Sequence, residues 1–226
     1  MRATLPRRLV AEGLGTAFLL MAIVGSGIMA ERLAGGNVAV ALLANATATG
    51  AALLALILTF GPISGAHLNP AVTLALTTKN NLTESVAYIL IQVSGAVAGT
   101  VTANLMFNLP PMVPSHHARF GRALWFSEMV ATFGLLILIR ICMRTQPQMI
   151  ALVVGAYITA GYWFTSSTSF ANPAVTVARS LSDTFTGIRP ADVPLFVLAQ
   201  LAGAGLAVLL TRWLISDRAE VSADGG

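Results

Sequence analysis

The sequence predicts an all-α membrane protein, with six transmembrane helices plus two re-entrant half-helices arranged as an inverted repeat. Three observations lead there. Only 10% of the 226 residues are charged while 56% are hydrophobic, against about 25% charged in an ordinary soluble domain. Six apolar stretches approach the length of a bilayer crossing. The second half of the chain also repeats the motifs of the first in the same order.

So little charge leaves too little polar surface to coat a globule in water, and it suits an outer face that meets a lipid bilayer. A net charge of +4 could point to nucleic acid. The basic residues, however, sit singly or in pairs between apolar segments and form no stripe, so they read as topology signals and no nucleic-acid partner is expected. A single cysteine, Cys142, excludes an intrachain disulfide and a multi-cysteine metal site. No small-residue cleavage site follows a short apolar core in residues 1–30, so the segment from Leu9 onward is expected to remain as the first span.

A hydrocarbon core about 30 Å thick needs about 20 mostly apolar residues per crossing helix. Residues 9–30, 38–60, 82–107, 123–143, 149–164 and 193–215 qualify, the fifth being short. With a cytoplasmic N-terminus, that side receives Arg2, Arg7, Arg8, Lys79, Arg140, Arg144, Arg212 and Arg218. The other side receives Arg32, Arg119, Arg122, Arg179 and Arg189. The bias favours both termini in the cytoplasm, and a multi-pass protein of the cell inner (plasma) membrane is expected. The polar tail 216–226 is expected to be disordered, and Pro110, Pro111 and Pro114 stiffen an outer connection.

Two connections, 61–80 and 165–190, are too apolar for ordinary loops. Each runs from a Gly- or Ser-rich lead-in through Asn-Pro-Ala into about ten residues of helix-compatible sequence, too short to cross. Irregular backbone survives at membrane depth only when protein or a water-filled cavity covers it. Re-entrant half-helices lining a pore meet that condition.

The repeat has three echoes. Ala11-Glu12-Gly13-Leu14-Gly15-Thr16 matches Ser127-Glu128-Met129-Val130-Ala131-Thr132. Asn69-Pro70-Ala71-Val72-Thr73 recurs as Asn172-Pro173-Ala174-Val175-Thr176. Ile91-Gln92-Val93-Ser94-Gly95-Ala96 matches Ala199-Gln200-Leu201-Ala202-Gly203-Ala204. Each half holds three spans, an odd number, so the second half enters from the opposite face and the repeat is inverted. The chain reads as one membrane domain, 1–226, with halves of about 8–107 and 123–215.

Asn is a favoured helix N-cap and Pro a favoured first helical residue, so each Asn-Pro starts a helix. Alone, such a pair is an ordinary cap. In opposed dips, the two N-termini would meet near the bilayer centre, and their positive ends disfavour cations and protons. The Asn69 and Asn172 amides can donate to a passing oxygen, which suits small neutral hydroxylated molecules. Glu12 and Glu128 lie within spans and are costly unless paired. They read as buried acceptors for the backbone of the two dips, with a proton relay as the alternative, and Gln92 and Gln200 take the same supporting role. His67 reads as a lining or hydrogen-bonded histidine, with pH gating as the alternative. The small residues Gly95, Ala96, Gly99, Ala202, Gly203, Ala204 and Gly205 are expected to allow close helix packing.

With Ser64-Gly65-Ala66-His67-Leu68-Asn69-Pro70-Ala71-Val72-Thr73 and Asn172-Pro173-Ala174, the chain resembles the aquaporin and aquaglyceroporin superfamily from about Leu9 to Ile215. The resemblance implies a homotetramer with one pore per subunit. Most members carry an arginine directly after the second Asn-Pro-Ala, whereas this chain has Val175. Arg179, one helical turn later, would border the outer mouth but not occupy the constriction. By family spacing the other constriction positions fall on Thr49, Ala160 and Ser169. A filter of Thr49, Ala160, Ser169 and Val175 is small and uncharged, unless Tyr162, Trp163, Phe164 or Phe170 refills the space. Valine in place of arginine resembles a bacterial subgroup associated with arsenic resistance, which implies passage of neutral arsenite and methylated arsenicals beside water and glycerol-like polyols.

A water-selective channel is the nearest alternative. A secondary transporter would need coupling-ion ligands at the midplane, and no Asp lies within a span. An enzyme is not expected. His67, His116 and His117 form no metal-ligand set, no Gly-rich phosphate loop occurs, and no cofactor is implied.

Overall fold

The computed structural model describes residues 3–78 and 81–215. Arg2, Lys79 and Arg218 of the topology reading, and the tail 216–226, lie outside the described residues. Among the described residues eight α-helices follow one another: α1 (Leu5–Leu33), α2 (Val38–Ser64), α3 (Pro70–Leu76), α4 (Leu82–Met106), α5 (Arg122–Thr145), α6 (Ile150–Phe164), α7 (Pro173–Arg179) and α8 (Val193–Leu214). The order is two long helices, a short one and a long one, given twice.

Helices α1, α2, α4 and α5, and α8 with the 3₁₀ turn before it, are long and apolar enough to cross a bilayer. Helix α6 has only 15 residues, but the 3₁₀ turn Pro147–Met149 leads directly into it. At their usual rises the two together reach about 28 Å, close to a hydrocarbon core. Leu14, Phe18, Leu43, Leu90, Leu198 and Leu209 are exposed on the outside of the bundle, where apolar side chains suit lipid.

Local sequence explains the helix ends. The Asn37 side chain accepts from the Ala39 and Val40 N–H groups at 3.1 and 3.2 Å and starts α2. That helix was expected to stop at Phe60, ahead of Gly61-Pro62, but it runs to Ser64. Pro62 forfeits only one backbone bond near the helix end, and Gly65, at φ 93°, supplies the left-handed stop. The two short helices have seven residues each, fewer than the ten or so expected.

The halves are built alike, with α1 against α4 and α5 against α8 as closely apposed pairs. Glycine makes this possible. A Cβ on Gly95 of α4 would lie 2.3 Å from the Gly13 carbonyl oxygen of α1, and a Cβ on Gly203 of α8 would lie 2.3 Å from that of Met129 on α5. Backbones that approach so closely gain packing that larger residues would forbid. On the N-terminal side, Arg8 of α1 pairs with Glu84 of α4 through two hydrogen bonds.

The proline-bearing connection after α4 has a defined course. Its Val113 and Ser115 N–H groups donate to the Leu181 and Ser180 carbonyls at 2.9 Å each, and Arg189 N–H donates to His117 O at 2.8 Å. The backbone and ring of His116 both reach the Asp183 carboxylate, at 2.9 and 3.0 Å. The connection is thereby clipped over the segment that follows α7.

Gly95→Val and Gly203→Val are each expected to cost about 1–3 kcal/mol through forced separation of the paired helices, read as a lower Tm in detergent. Gly205, expected to allow close packing, meets nothing within 4 Å, so Gly205→Ala should not lower Tm and gains up to about 1 kcal/mol of helix propensity. The His116 contacts hold the Asp183 carboxyl below its ordinary value of 3.8. A depressed folded pKa contributes stability above the unfolded value and loses it as pH falls through the folded one. The Tm difference between the native chain and Asp183→Asn should therefore be present at neutral pH and shrink in acid below the ordinary carboxylate range.

Candidate functional site

The site is built outward from two carboxylates with no solvent exposure, Glu12 on α1 and Glu128 on α5. Glu12 Oε1 accepts from Ser64 Oγ at 2.7 Å and His67 N–H at 2.9 Å, and Oε2 accepts from Leu68 N–H at 2.7 Å and Gln92 Nε2 at 2.8 Å. Glu128 repeats the pattern, accepting from Phe170 N–H at 2.9 Å, Ala171 N–H at 3.0 Å and Gln200 Nε2 at 2.6 Å. The two glutamines also donate to Thr73 Oγ1 and Thr176 Oγ1, at 3.0 and 2.8 Å. A charge buried in an apolar bundle is tolerated only with such a set of donors.

What the carboxylates hold is strained backbone. Ala66 and Leu68 in the first dip, and Ser169 and Ala171 in the second, all have φ between 46° and 50°. This left-handed region costs a non-glycine residue roughly 1–2 kcal/mol. The strain falls at repeat-related positions, where it turns the loop sharply into each half-helix.

At the junction, Asn69 and Asn172 each do two things. The Asn69 carbonyl oxygen caps its own helix by accepting from Ala71 N–H at 2.8 Å, and that of Asn172 accepts from Ala174 and Val175 N–H at 3.0 and 3.3 Å. Their amide nitrogens cross over. Asn69 Nδ2 donates to Ala171 O at 2.7 Å, and Asn172 Nδ2 donates to Leu68 O at 2.8 Å. The two Asn-Pro-Ala segments are thus tied directly to each other.

A cavity of about 440 Å³ runs along this junction, from Pro147 and Gln148 near one end, past Asn69 and Asn172, to Val175 and Arg179 near the other. Thr49, Ser169 and Val175, read from the sequence as filter residues, all line it, and so does His67, whose Nδ1 lies 3.2 Å from Thr73 Oγ1. Pro70, Ala71, Pro173 and Ala174 are buried in the first turns of the two short helices.

Ala160 does not line the cavity; it lies on the exposed face of α6. The inward face of that helix carries Val154, Ile158 and Tyr162 at successive turns, and Ala160 falls between the last two, on the far side. Tyr162 therefore takes the place expected for Ala160, with its hydroxyl 3.2 Å from Thr49 Oγ1. The ring of Phe170 also lines the cavity, whereas Trp163 and Phe164 are exposed. The wall expected to carry only small side chains at this level is corrected in its lining, which lacks Ala160 and includes the two aromatic residues Tyr162 and Phe170.

Arg179 is likewise more deeply placed than expected. It is 2% exposed, lines the cavity, and donates through Nε to Thr186 O. Its guanidinium carbon lies 3.4 Å from the Phe170 ring centroid, and that of Arg119 lies 4.9 Å from the same centroid. Arg119 was missed as a site residue. Its backbone N–H bonds Asp192 at 2.8 Å and its Nε bonds Gly187 O at 2.8 Å, long-range contacts that leave no local pattern in the sequence.

Three comparisons with known proteins bear on this geometry. The family model described as major intrinsic protein matches residues 1–148. The chain is 54% identical over 213 residues to the aquaglyceroporin AqpS of Rhizobium meliloti (strain 1021), covering 93% of this chain and 91% of that one. It is 30% identical over 249 residues to the probable aquaporin AqpM of Archaeoglobus fulgidus, covering 96% of this chain and 100% of the relative. Among solved structures, the aquaglyceroporin from Plasmodium falciparum matches with a TM-score of 0.67 over 92% of this chain and 93% of its own, at 21% identity, which speaks to fold alone. The chain belongs to the major intrinsic proteins, a family of membrane channels for water and small solutes.

Proposed function

We propose that this chain is a passive channel for water and small uncharged solutes, extending to glycerol-sized polyols and neutral metalloid hydroxides such as arsenite. The observation that carries the reading is the junction. Two helix starts, tied to each other by crossed amide bonds, border a cavity along the bundle. Each asparagine nitrogen has a second hydrogen to offer a passing oxygen, and positive helix ends disfavour cations. A neutral hydroxylated solute exchanges water partners for these donors at little cost. A cation would lose its hydration there.

The solute range rests on Val175. An apolar side chain on the cavity wall leaves room that an arginine would take. Tyr162 and Phe170 return some of it, and the 3.2 Å contact of Tyr162 with Thr49 favours the second reading, a water-selective channel. By family resemblance the assembly is a homotetramer in the inner membrane, with both termini cytoplasmic and methylated arsenicals among the solutes.

Stopped-flow light scattering on proteoliposomes tests the solute range. Glycerol and arsenite permeability should exceed that of empty vesicles, and Val175→Arg should lower both about tenfold, equivalent to about 1.4 kcal/mol of barrier, while water flux falls less. Unchanged solute permeability in the variant sinks the wide-filter reading. Flux of water alone in the native chain selects the second reading. For the support of the dips, Glu128→Gln replaces a charged acceptor and should cost about 1.5–3 kcal/mol for each weakened bond. It should lower both Tm and water permeability at equal protein.

A further inference from the structure

On the face that carries the start of α1, the ends of α5 and α8 gather arginines. Arg140 of α5 donates through Nε to Thr211 Oγ1 of α8 at 2.6 Å and through Nη1 to Ala75 O at 2.8 Å. Ala75 lies in the last turn of α3, whose carbonyls form the negative end of that half-helix and suit a cation. Two partners thus fix the guanidinium in one orientation. Its remaining terminal nitrogen, Nη2, bonds no described residue and is absent from the polar atoms sealed off inside the protein, so it reaches the surface. Arg212 follows Thr211 on α8 and is exposed. Arg144 stands one turn beyond Arg140, and both Arg212 and Arg144 are near enough to repel it. Neither Arg140 nor Arg212 forms an ion pair with a described residue. On this face Glu84 is taken by Arg8. Around the arginines the surface turns apolar, with Met143, Leu209 and Leu214 exposed and Trp213 exposed by 74%. A tryptophan beside arginines at the end of a crossing helix marks the level of the lipid headgroups.

We propose that Arg140 and Arg212 form a seat for the phosphate of an anionic phospholipid at the junction of α5 and α8. Like charges gathered at a low-dielectric boundary, with no carboxylate of a described residue beside them, call for an outside anion. A guanidinium already held by the protein turns its remaining N–H groups to phosphate oxygens at little further cost in side-chain freedom. Its apolar stem lies along the helix while the charge reaches the headgroup level. Arg212 supplies the second cation, and Leu209 and Trp213 supply apolar surface for the glycerol backbone and the upper acyl chains. A zwitterionic lipid brings an ammonium that the arginines repel, so the seat selects net negative charge. Neither arginine lines the cavity, so the seat stands apart from the solute path and does not depend on which solutes pass.

The test places the full-length chain in phosphatidylcholine vesicles and mixes in brominated phosphatidylglycerol or brominated phosphatidylcholine, which quench nearby tryptophan. Subtracting the signal of the matching Trp213→Phe chain isolates Trp213. In the native chain the anionic lipid should quench at lower content than the zwitterionic one, and the ratio of contents gives the preference. Arg140→Gln and Arg212→Gln should each lower that preference about fivefold, the worth of one arginine near an anionic headgroup. Arg122→Gln, at the opposite end of α5, should keep it. Equal quenching of the native chain by both lipids overturns the proposal, as does a loss in Arg122→Gln matching that in Arg212→Gln. If Arg140→Gln does not assemble, Arg212→Gln decides alone, since its side chain bonds no described residue. Two other occupants are separated in the same assay. If millimolar inorganic phosphate abolishes the preference, the seat belongs to the free anion. If a preference appears only when Asp217, Glu220 and Asp224 are replaced by their amides, the seat belongs to the chain's own acidic residues. Either result overturns the lipid assignment.

Discussion

Two buried carboxylates hold the rest of the molecule in place. Glu12 gathers four donors and Glu128 three, most of them from backbone that no regular element would otherwise satisfy. In lipid an unmet N–H group has no water to turn to. Without these acceptors the left-handed turns at Leu68 and Ala171 would carry both strain and unpaired donors, and the asparagines would lose the geometry that lets each cap one helix and clasp the other. Charge, loop and half-helix therefore stand or fall together, in each half alike.

Much of this was legible in the chain. A glutamate inside an apolar run demands donors, a repeated Asn-Pro-Ala demands two helix starts, and three spans per half demand inversion. Each of these follows from local chemistry. The face presented by α6 did not follow. Counting back from Asn172 fixes a position along the chain but not the phase of a helix reached through a loop with left-handed residues at Thr168, Ser169 and Ala171. The spacing of Val154, Ile158 and Tyr162 held the needed signal, because bulky residues at successive turns mark one face.

Arg119 and the clip over the segment after α7 were illegible for a different reason. Pairing of Val113 with Leu181 and of Arg189 with His117 joins segments far apart in sequence, and neither carries the alternation of a strand. The prolines signalled stiffness without saying what the stiff segment would lie against. It lies against the end of α7 and its continuation, the stretch that fixes Arg179.

The crossed amides have a mechanical consequence. Neither half-helix can retreat without dragging the other, because each asparagine is at once the start of its own helix and the clasp on its neighbour's loop. A protein that rocks between inward-open and outward-open states needs a seam at its middle, and here the two halves are tied to each other beside the cavity while the helix pairs on either side touch backbone to backbone. Such a body suits the fixed sieve proposed above, whose throughput would rise in proportion to the concentration difference with no turnover step to saturate.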